Sequence, residues 1–203
     1  MTKVFIGGSR KMSKLNEYVR NRIDKIIERG CTILVGDANG IDKSVQSYLF
    51  EINYKNVVIF CAGNECRNNI GHWETRHIRV NQKKKDSDYY SAKDLEMVRE
   101  ADYGFMIWDA KSKGTFVNIR YLLNARKKVI LYFSPQKSLH TVTSFDQLKE
   151  LLSSYDIDYH DLLDHSLKVS QRVEGNKSQQ EFDLDLPRTT IEHSAAVESS
   201  RLS

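Results

Sequence analysis

The chain has 203 residues, of which 40% are hydrophobic, 29% charged and 10% aromatic. This is the composition of a globular protein, and it excludes a disordered or fibrous chain. The longest apolar runs, such as residues 129–133, are far shorter than the roughly 20 residues of a membrane helix, and Met1 leads into a strand-like segment without a signal-peptide pattern. We therefore expect a protein that neither spans a membrane nor is secreted.

The charge of the chain is a weak guide to its partners. The formal net charge is +4, from 31 basic and 27 acidic side chains, an excess that favours anionic ligands without singling out nucleic acid. From Ser170 onward, polar residues dominate and apolar residues hold no period. We therefore predict one folded domain over residues 1–169 and a flexible polar tail over residues 170–203.

The cysteines and histidines indicate neither a disulfide framework nor a metal site. The chain has three cysteines, Cys31, Cys61 and Cys66, and a disulfide framework needs more cysteines and an even number of them. We therefore expect the protein in a reducing cytoplasm. Cys61 and Cys66 lack evident metal-binding partners, so we interpret them as small apolar residues on or near strands. The histidines show no zinc spacing and are expected at the surface: His72, His77, His140, His160, His165 and His193. We expect no metal and no cofactor.

Short β-branched and aromatic runs alternate with amphipathic segments along the chain. This pattern is typical of a parallel sheet covered by helices on both faces. Strands are predicted at residues 3–6, 32–35, 56–60, 103–108 and 128–133. Helical stripes predict a helix between the first two strands, with Ser13 as its cap and Gly30 at its end, and others near 41–52, 95–101, 116–123, 144–153 and 159–167. The prediction is a single α/β domain with a five-stranded parallel sheet of order 3-2-1-4-5.

The segment 62–90 departs from this alternation. It is long, polar and without clear period, and a connection of that length in a compact domain is either functional or disordered. It contains Arg67, His72 and Trp73, which suit a segment that covers a ligand. The run from Lys83 to Lys85 is interpreted as a solvated group of charges.

Three predicted strand-to-helix junctions are rich in glycine and small polar residues, and all lie at the carboxyl edge of the sheet. They contain Gly7, Gly8, Ser9 and Arg10; Gly36, Asp37, Gly40 and Asp42; and Trp108, Asp109, Ser112, Gly114 and Thr115. Glycine allows close approach of a ligand, and the free N–H groups of a helix start favour phosphate by about 0.3–1 kcal/mol. With strand order 3-2-1-4-5, the Gly7 and Gly114 loops face each other across a crevice.

The glycine pattern also excludes two common nucleotide sites. Neither the G-x-G-x-x-G dinucleotide fingerprint nor the G-x-x-x-x-G-K-[ST] phosphate loop occurs in the chain. A dehydrogenase and a P-loop NTPase are therefore not expected. A single glycine-containing turn needs no ligand to explain it, but three on one edge predict a nucleotide site.

These motifs together resemble the SLOG superfamily of Rossmann-like nucleotide-binding proteins, which includes the LOG phosphoribohydrolases and the DNA-processing protein DprA. The resemblance is strongest to its small YspA- and YpsA-like bacterial and phage members. It spans about residues 2–134 and rests on residues 3–10, 36–42, 93–97 with Ala101 and Asp102, and 108–119. It implies a nucleotide or nucleotide-derived ligand at the three loops, and a homodimer or higher homo-oligomer.

One departure from the family pattern concerns catalysis. LOG enzymes carry P-G-G-x-G-T-x-x-E, whose glutamate serves N-glycosidic cleavage, whereas Asn118 stands at that position here. An amide cannot act as nucleophile or general base, although it can hydrogen-bond a ribose or base. The main hypothesis is therefore a cytoplasmic binding module for a nucleotide-type small molecule, acting as sensor or sequestering agent.

Two alternatives stay open. The first is an N-glycosidic hydrolase or transferase acting on nucleoside monophosphates, with Asp37 or Asp109 as the catalytic carboxylate; Asp37 and Asp42 are equally suited to capping helix starts. The second is single-stranded DNA binding in the manner of DprA, through Arg10, Arg67 and the Lys83 run. The small net charge and the lack of a winged-helix pattern count against the second.

Overall fold

The computed structural model describes residues 1–80, 87–164 and 166–168. The predicted polar tail at 170–203, the run from Lys83 to Lys85, and His165 and His193 lie outside the described residues. Among the described helices, none is both long and apolar enough to cross a bilayer.

One mixed sheet of seven strands forms the centre of the molecule. The strands are β1 (Lys3–Gly8), β2 (Thr32–Gly36), β3 (Val57–Ala62), β4 (Glu74–Ile78), β5 (Tyr103–Trp108), β6 (Val129–Phe133) and β7 (Ser138–Val142). Their order across the sheet is β4-β3-β2-β1-β5-β6-β7. Neighbouring strands are parallel except β6 and β7, which are antiparallel.

The predicted count of five strands is wrong. The five predicted strands keep the order 3-2-1-4-5 in the middle of the sheet, and β4 and β7 add one strand at each edge. Both edge strands are polar and partly exposed, because an edge strand is covered less than a central one. Consequently the segment 62–90 is not an unstructured connection, since it contains β4 and the start of a helix.

In the described part of the chain, these α-helices pack against the sheet: α1 (Glu17–Ile27), α2 (Ile41–Glu51), α3 (Ser87–Glu100), α4 (Lys113–Asn124) and α5 (Phe145–Ser153). Asn16, not Ser13, caps α1, because its side chain accepts a hydrogen bond from the N–H of Val19 at 3.1 Å. Helix α3 begins at Ser87 and is therefore about two turns longer at its start than the predicted stretch near 95–101. Residues 159–164 and 166–168 are also helical.

The helices divide between the two faces of the sheet. Buried residues of α1 and α2, such as Ile23 and Val45, pack in one core cluster with β1 and β2. Buried residues of α3, α4 and α5, such as Met97 and Leu122, pack in the other. The chain therefore leaves β1 toward one face and leaves the adjacent β5 toward the opposite face, and a crevice opens between the two connections.

The cysteines differ from the prediction. Cys61 at the end of β3 and Cys66 in the following loop form a disulfide with Cα atoms 5.1 Å apart, while Cys31 is free and buried. Gly63, with a φ of +77°, lets the chain turn back so that these two cysteines meet. Because two of the three cysteines form a disulfide, the cysteines no longer favour a reducing compartment.

Candidate functional site

A cleft of about 350 Å³ lies at the carboxyl edge of the sheet, between the loops that follow β1 and β5. Most of the predicted site residues line it: Gly7, Gly8, Arg10, Asp42, Asp109, Ser112, Gly114, Thr115 and Asn118. The remaining predicted residues are not part of its lining: Ser9, Gly36, Asp37, Gly40 and Trp108. The structure thus brings the first and third predicted loops together, whereas the second contributes mainly Asp42.

Two of the glycines are required by close packing. A Cβ on Gly8 would lie 2.2 Å from the carbonyl oxygen of Ile107, so this position brings β1 against β5. Gly40 has a φ of +82°, and a Cβ there would lie 2.3 Å from the carbonyl oxygen of Arg10. A Cβ on Gly114, in contrast, would meet no atom within 4 Å. Gly114 is therefore open toward the cleft rather than required by the packing.

Ser9 and Trp108 do not line the cleft, but their hydrogen bonds hold its two loops in place. The Ser9 hydroxyl donates to Asp109 Oδ1 at 2.8 Å, and the Trp108 indole N–H donates to the carbonyl oxygen of Ser112 at 2.9 Å. Asp109 Oδ1 also accepts the N–H groups of Lys111 and Ser112, at 3.0 and 2.8 Å. Burial raises the pKa of Asp109, but these hydrogen bonds outweigh it and leave that pKa below its ordinary value. Asp109 therefore organises the loop as a stable carboxylate.

Asp37 is buried beside the cleft and is bound by Arg67. The Arg67 guanidinium donates to both carboxylate oxygens, at 2.5 and 3.1 Å, and the Arg67 backbone N–H donates at 3.0 Å. Burial raises the pKa of Asp37, but the hydrogen bonds from Arg67 and the charge of Lys93 outweigh burial, so the pKa lies below its ordinary value. Asp37 anchors the loop after β3 to the loop after β2.

Tyr90 covers one side of the cleft and is held by two guanidinium groups. The Arg67 guanidinium carbon lies 3.9 Å from the centre of the Tyr90 ring, and that of Arg10 lies 5.4 Å from it. Both distances suit cation–π attraction. Tyr90 therefore joins the Arg67 loop to the β1 loop across the top of the cleft.

Four polar side chains form the floor of the cleft: Asp42, Lys93, Asp94 and Asn118. Lys93 is 2% exposed, and its ammonium lies 2.6 Å from Asp94 Oδ1. The Asn118 amide donates to Asp94 Oδ2 at 3.1 Å, and Asp42 Oδ2 accepts the N–H of Ala38 at 3.3 Å. We call these four residues the floor.

Burial and neighbouring charges shift the pKa values of Asp42 and Lys93 in the floor. Burial raises the pKa of Asp42 to about 6, although the charge of Lys93 opposes this. Burial also disfavours the charged form of Lys93, but Asp94 and Asp42 outweigh it and raise the pKa of Lys93. The floor is therefore a compensated group of charges in which burial keeps the pKa of Asp42 well above its ordinary value.

Four exposed cations surround the entrance of the cleft: Arg10, Lys11, Lys111 and Lys113. We call them the mouth. Helix α4 begins among them, with Ser112 as N-cap accepting the N–H of Thr115. The first N–H groups of a helix have no partner within it, so those of Lys113 and Gly114 and the α4 dipole attract an anion to this entrance.

Sequence reasoning missed Lys93, Asp94 and Tyr90 as cleft residues. The period of the helix contained a signal for Lys93, since Tyr89, Lys93 and Met97 are spaced by four residues and are all buried. A lysine on the buried stripe of a helix needs compensating acids, which Asp42 and Asp94 supply. Tyr90 had no such signal, because its position depends on α3 beginning at Ser87.

One further group of potential metal ligands lies outside the cleft. The sulfur atoms of Cys61 and Cys66 and a ring nitrogen of His77 lie within 4.8 Å of one another. His77 is on β4, beside Cys61 on β3.

Comparison with known proteins identifies a shared fold. No protein-family model matches the chain, and no curated protein sequence matches it. Among solved structures, the chain is similar to DNA processing protein A from Helicobacter pylori, whose structure describes a single-stranded DNA binding mode. The identity is 15% and the TM-score 0.50, and the match covers 64% of this chain and 64% of that one. The chain thus matches less than two thirds of that protein's length, and at this identity the likeness extends to the fold alone.

Proposed function

We propose that the cleft binds a nucleotide or nucleotide-derived ligand, with the phosphate at the mouth and the sugar or base toward the floor. The observation that carries this proposal is the meeting of the β1 and β5 loops where the connections depart to opposite faces of the sheet. Ligands of open α/β sheets bind at this point. A SLOG-type ancestry, proposed from the motifs, agrees with that position.

The mouth supplies the chemistry that a phosphate needs. Arg10, Lys11, Lys111 and Lys113 provide positive charge, and the start of α4 provides N–H donors beside the open position of Gly114. A charge-assisted contact from Arg10 contributes about 1.5–3 kcal/mol. Phosphate is therefore the part of the ligand that we assign to the mouth.

The floor suits the uncharged part of a nucleotide. Asp42, Asp94 and Asn118 present oxygen acceptors, which bind ribose hydroxyls or exocyclic amines, and Tyr90 offers an aromatic ring. The cleft volume of about 350 Å³ lies within the range of small-molecule sites, about 300–1,000 Å³. The cleft thus matches a ligand with one anionic and one hydrogen-bonding end.

Binding is favoured over turnover by the state of the carboxylates. Asp37 is 1% exposed and bound by Arg67. Asp109 accepts two hydrogen bonds from its own loop and one from Ser9 of the β1 loop. Asp37 does not line the cleft, and Asp109 lines it as a carboxylate whose lowered pKa makes it a weak proton acceptor. Asn118 stands where the LOG enzymes carry glutamate. If the protein does release a base, Asp42 is the group to substitute, because it lines the cleft and its pKa is about 6.

A second candidate function is binding of single-stranded DNA. The DprA structure, with its described single-stranded DNA binding mode, favours it, and the exposed cations of the mouth would follow a phosphate backbone. In that case several nucleotides contact the mouth and binding falls steeply with salt.

The two candidates differ in what they bind. Full-length protein is titrated by calorimetry with AMP, GMP, CMP, UMP, NAD and inorganic phosphate, and by fluorescence anisotropy with an oligothymidylate at two salt concentrations. Saturable binding of one mononucleotide above inorganic phosphate supports the proposal. Tight, salt-sensitive binding of the oligonucleotide alone promotes the second candidate.

Turnover is tested in the same samples by chromatography for free base. The proposal predicts none. Release of base that disappears in Asp42→Asn would make the protein a hydrolase.

A further inference from the structure

We infer that Cys61, Cys66 and His77 bind one Zn²⁺ ion when the Cys61–Cys66 disulfide is reduced, so that this cluster exists in a disulfide form and in a zinc form. The cluster lies on β3, β4 and the loop between them, outside the cleft. The inference therefore does not depend on the proposed ligand of the cleft.

The geometry of the cluster suits zinc. The two sulfur atoms and a ring nitrogen of His77 lie within 4.8 Å of one another. In a tetrahedral site, Zn–S bonds of about 2.3 Å and Zn–N bonds of about 2.0–2.1 Å place the ligand atoms roughly 3.6–3.8 Å apart. Small side-chain rotations after reduction therefore bring all three atoms to zinc distance.

The sheet register places two of the ligands side by side. Cys61 on β3 is the register partner of His77 on β4, and the two strands are parallel. Register partners on neighbouring strands project from the same face of a sheet. Cys66 is brought to the same place by the turn at Gly63. The ligand positions are thus set by backbone elements and not by a single mobile loop.

His77 is also prepared for the role of a ligand. Its Nδ1 lies 3.0 Å from the carbonyl oxygen of Gly63. Since a carbonyl oxygen only accepts, Nδ1 carries the hydrogen and Nε2 of the neutral ring has the lone pair that a metal needs. A backbone carbonyl that receives the other N–H is the usual outer partner of a metal-binding histidine.

The residue types select Zn²⁺ over harder cations. Two thiolates and one imidazole prefer zinc to Mg²⁺ or Ca²⁺, which bind oxygen ligands. Within the described part of the chain, the cluster contains these three ligands, and water takes the fourth position.

The two forms are connected by ordinary thiol exchange. Cys66 is half-buried and Cys61 fully buried, so a dithiol reductant attacks Cys66 and releases the Cys61 thiolate. The second thiolate of the reductant then displaces Cys66, and the reductant leaves as a disulfide after giving two electrons to the protein bridge. The two protons of the reductant's thiols pass to Cys61 and Cys66. Zn²⁺ then replaces the two thiol protons.

Both forms hold the loop that carries Arg67. Cys66 precedes Arg67, whose backbone N–H binds Asp37 and whose guanidinium stacks on Tyr90. A disulfide or a zinc ion fixes this loop to β3, whereas the reduced, metal-free form leaves it attached through the Arg67–Asp37 ion pair and hydrogen bonds such as those of Arg67 and Asn68 with Asp37. Zinc therefore preserves the cleft wall under reducing conditions.

The test uses the full chain, oxidised and phosphine-reduced, with Co²⁺ as spectroscopic probe and Zn²⁺ as competitor under anaerobic conditions. Reduced protein is expected to bind one Co²⁺ with a thiolate charge-transfer band and the visible bands of a tetrahedral site, and one equivalent of Zn²⁺ should abolish both. Oxidised protein, with the same composition, should show neither. Metal uptake that is equal in the two states would overturn the inference.

Variants assign the ligands. Cys66→Ser and His77→Ala should weaken metal binding at least ~10-fold, and Cys66→Ser should also lower the charge-transfer intensity. Cys31→Ser and His72→Asn, which change a cysteine and a histidine outside the cluster, should bind as wild type. Since Cys66 and His77 are not fully buried, both variants are expected to fold, as checked by circular dichroism. A reduced wild type that binds no more Co²⁺ than Cys66→Ser, or a His77→Ala protein with an unchanged spectrum, would contradict the assignment.

Discussion

The mouth and the floor of the cleft contain charged residues in opposite situations. The mouth cations are exposed, while Lys93 and Asp42 of the floor are 2% and 8% exposed and compensate each other within a buried group. A buried charge that loses its partner is strongly destabilising, whereas an exposed charge is not. The floor therefore belongs to the fold as much as to the site. The mouth makes only exposed contacts, such as that of Lys113 with Asp161 at 3.4 Å, and contributes little to the fold.

The largest effect is expected from removing the buried cation. Lys93→Met leaves Asp42 and Asp94 without their positive partner and should lower the free energy of unfolding by about 3–5 kcal/mol. Lys11→Met, which removes an exposed cation of the mouth, should change it by less than about 0.5 kcal/mol. Urea denaturation of both variants measures the difference. Equal stabilities would mean that the floor is not a compensated group.

The second effect is a pH dependence that belongs to Asp42. Its pKa in the folded state is about 6, above the ordinary 3.8, so between those values the folded protein retains a proton that the unfolded chain has released. The free energy of unfolding therefore falls as pH rises through this window, by about 2–3 kcal/mol in total, and is constant above it. Asp37 and Asp109, whose pKa values are lowered, act instead at lower pH, where their stabilisation is lost on acidification.

Urea denaturation of wild type and variants between pH 4 and 6 measures how much Asp42 contributes to the pH dependence of the free energy of unfolding. Relative to wild type, Asp42→Asn should remove the fall in stability across the window. The matched control is Asp146→Asn, an exposed aspartate that also lies in the first turn of a helix. If Asp42→Asn and Asp146→Asn have the same pH profile, the buried carboxyl does not have the assigned state.

The mouth is expected to affect affinity without affecting stability. Arg10→Gln should weaken nucleotide binding by roughly 10–100-fold, because one charge-assisted contact of about 1.5–3 kcal/mol is lost. Lys14→Gln removes an exposed cation that does not line the cleft and should bind as wild type. Calorimetry at one salt concentration measures both. A normal affinity in Arg10→Gln would move the phosphate away from this side of the mouth.

The smallest effect is expected from the two lysines of the α4 loop. Lys111→Gln and Lys113→Gln should each weaken binding by only about 2–5-fold, since exposed charges are largely screened by solvent and salt. The loss should shrink further at high salt in these two variants and in Arg10→Gln, because all three cations are exposed. An effect larger than that of Arg10→Gln would place the main anion contact on the α4 loop.

The central sheet could be predicted from the sequence, because buried parallel strands are continuous apolar runs bounded by glycine. The predicted strands at 32–35 and 128–133 correspond to β2 and β6. The edge strands β4 and β7 could not be predicted in this way, because Glu74, Arg76 and His77 have the composition of a loop and become a strand only through pairing with β3.

The candidate site, like the sheet, could be predicted only in part. The sequence indicated the loops of Gly7 and Gly114, because glycine at the end of a strand is a local signal. The pairing of Asp37 with Arg67, and of Asp94 with Asn118, joins residues 30 and 24 positions apart. Such contacts depend on which helix covers which strand, and local spacing does not contain that information.

The claim that the mouth binds the phosphate and contributes little to the fold is tested most directly at Gly114. A Cβ there meets no atom within 4 Å, so Gly114→Val should fold normally and place its side chain in the space that we assign to phosphate. The experiment compares wild type, Gly114→Ala and Gly114→Val. Calorimetry measures the affinity for the mononucleotide that binds wild type best, and thermal denaturation measures the melting temperature. The account predicts a melting temperature within a few degrees of wild type, weaker binding in Gly114→Ala and none in Gly114→Val. Wild-type affinity in Gly114→Val would contradict it.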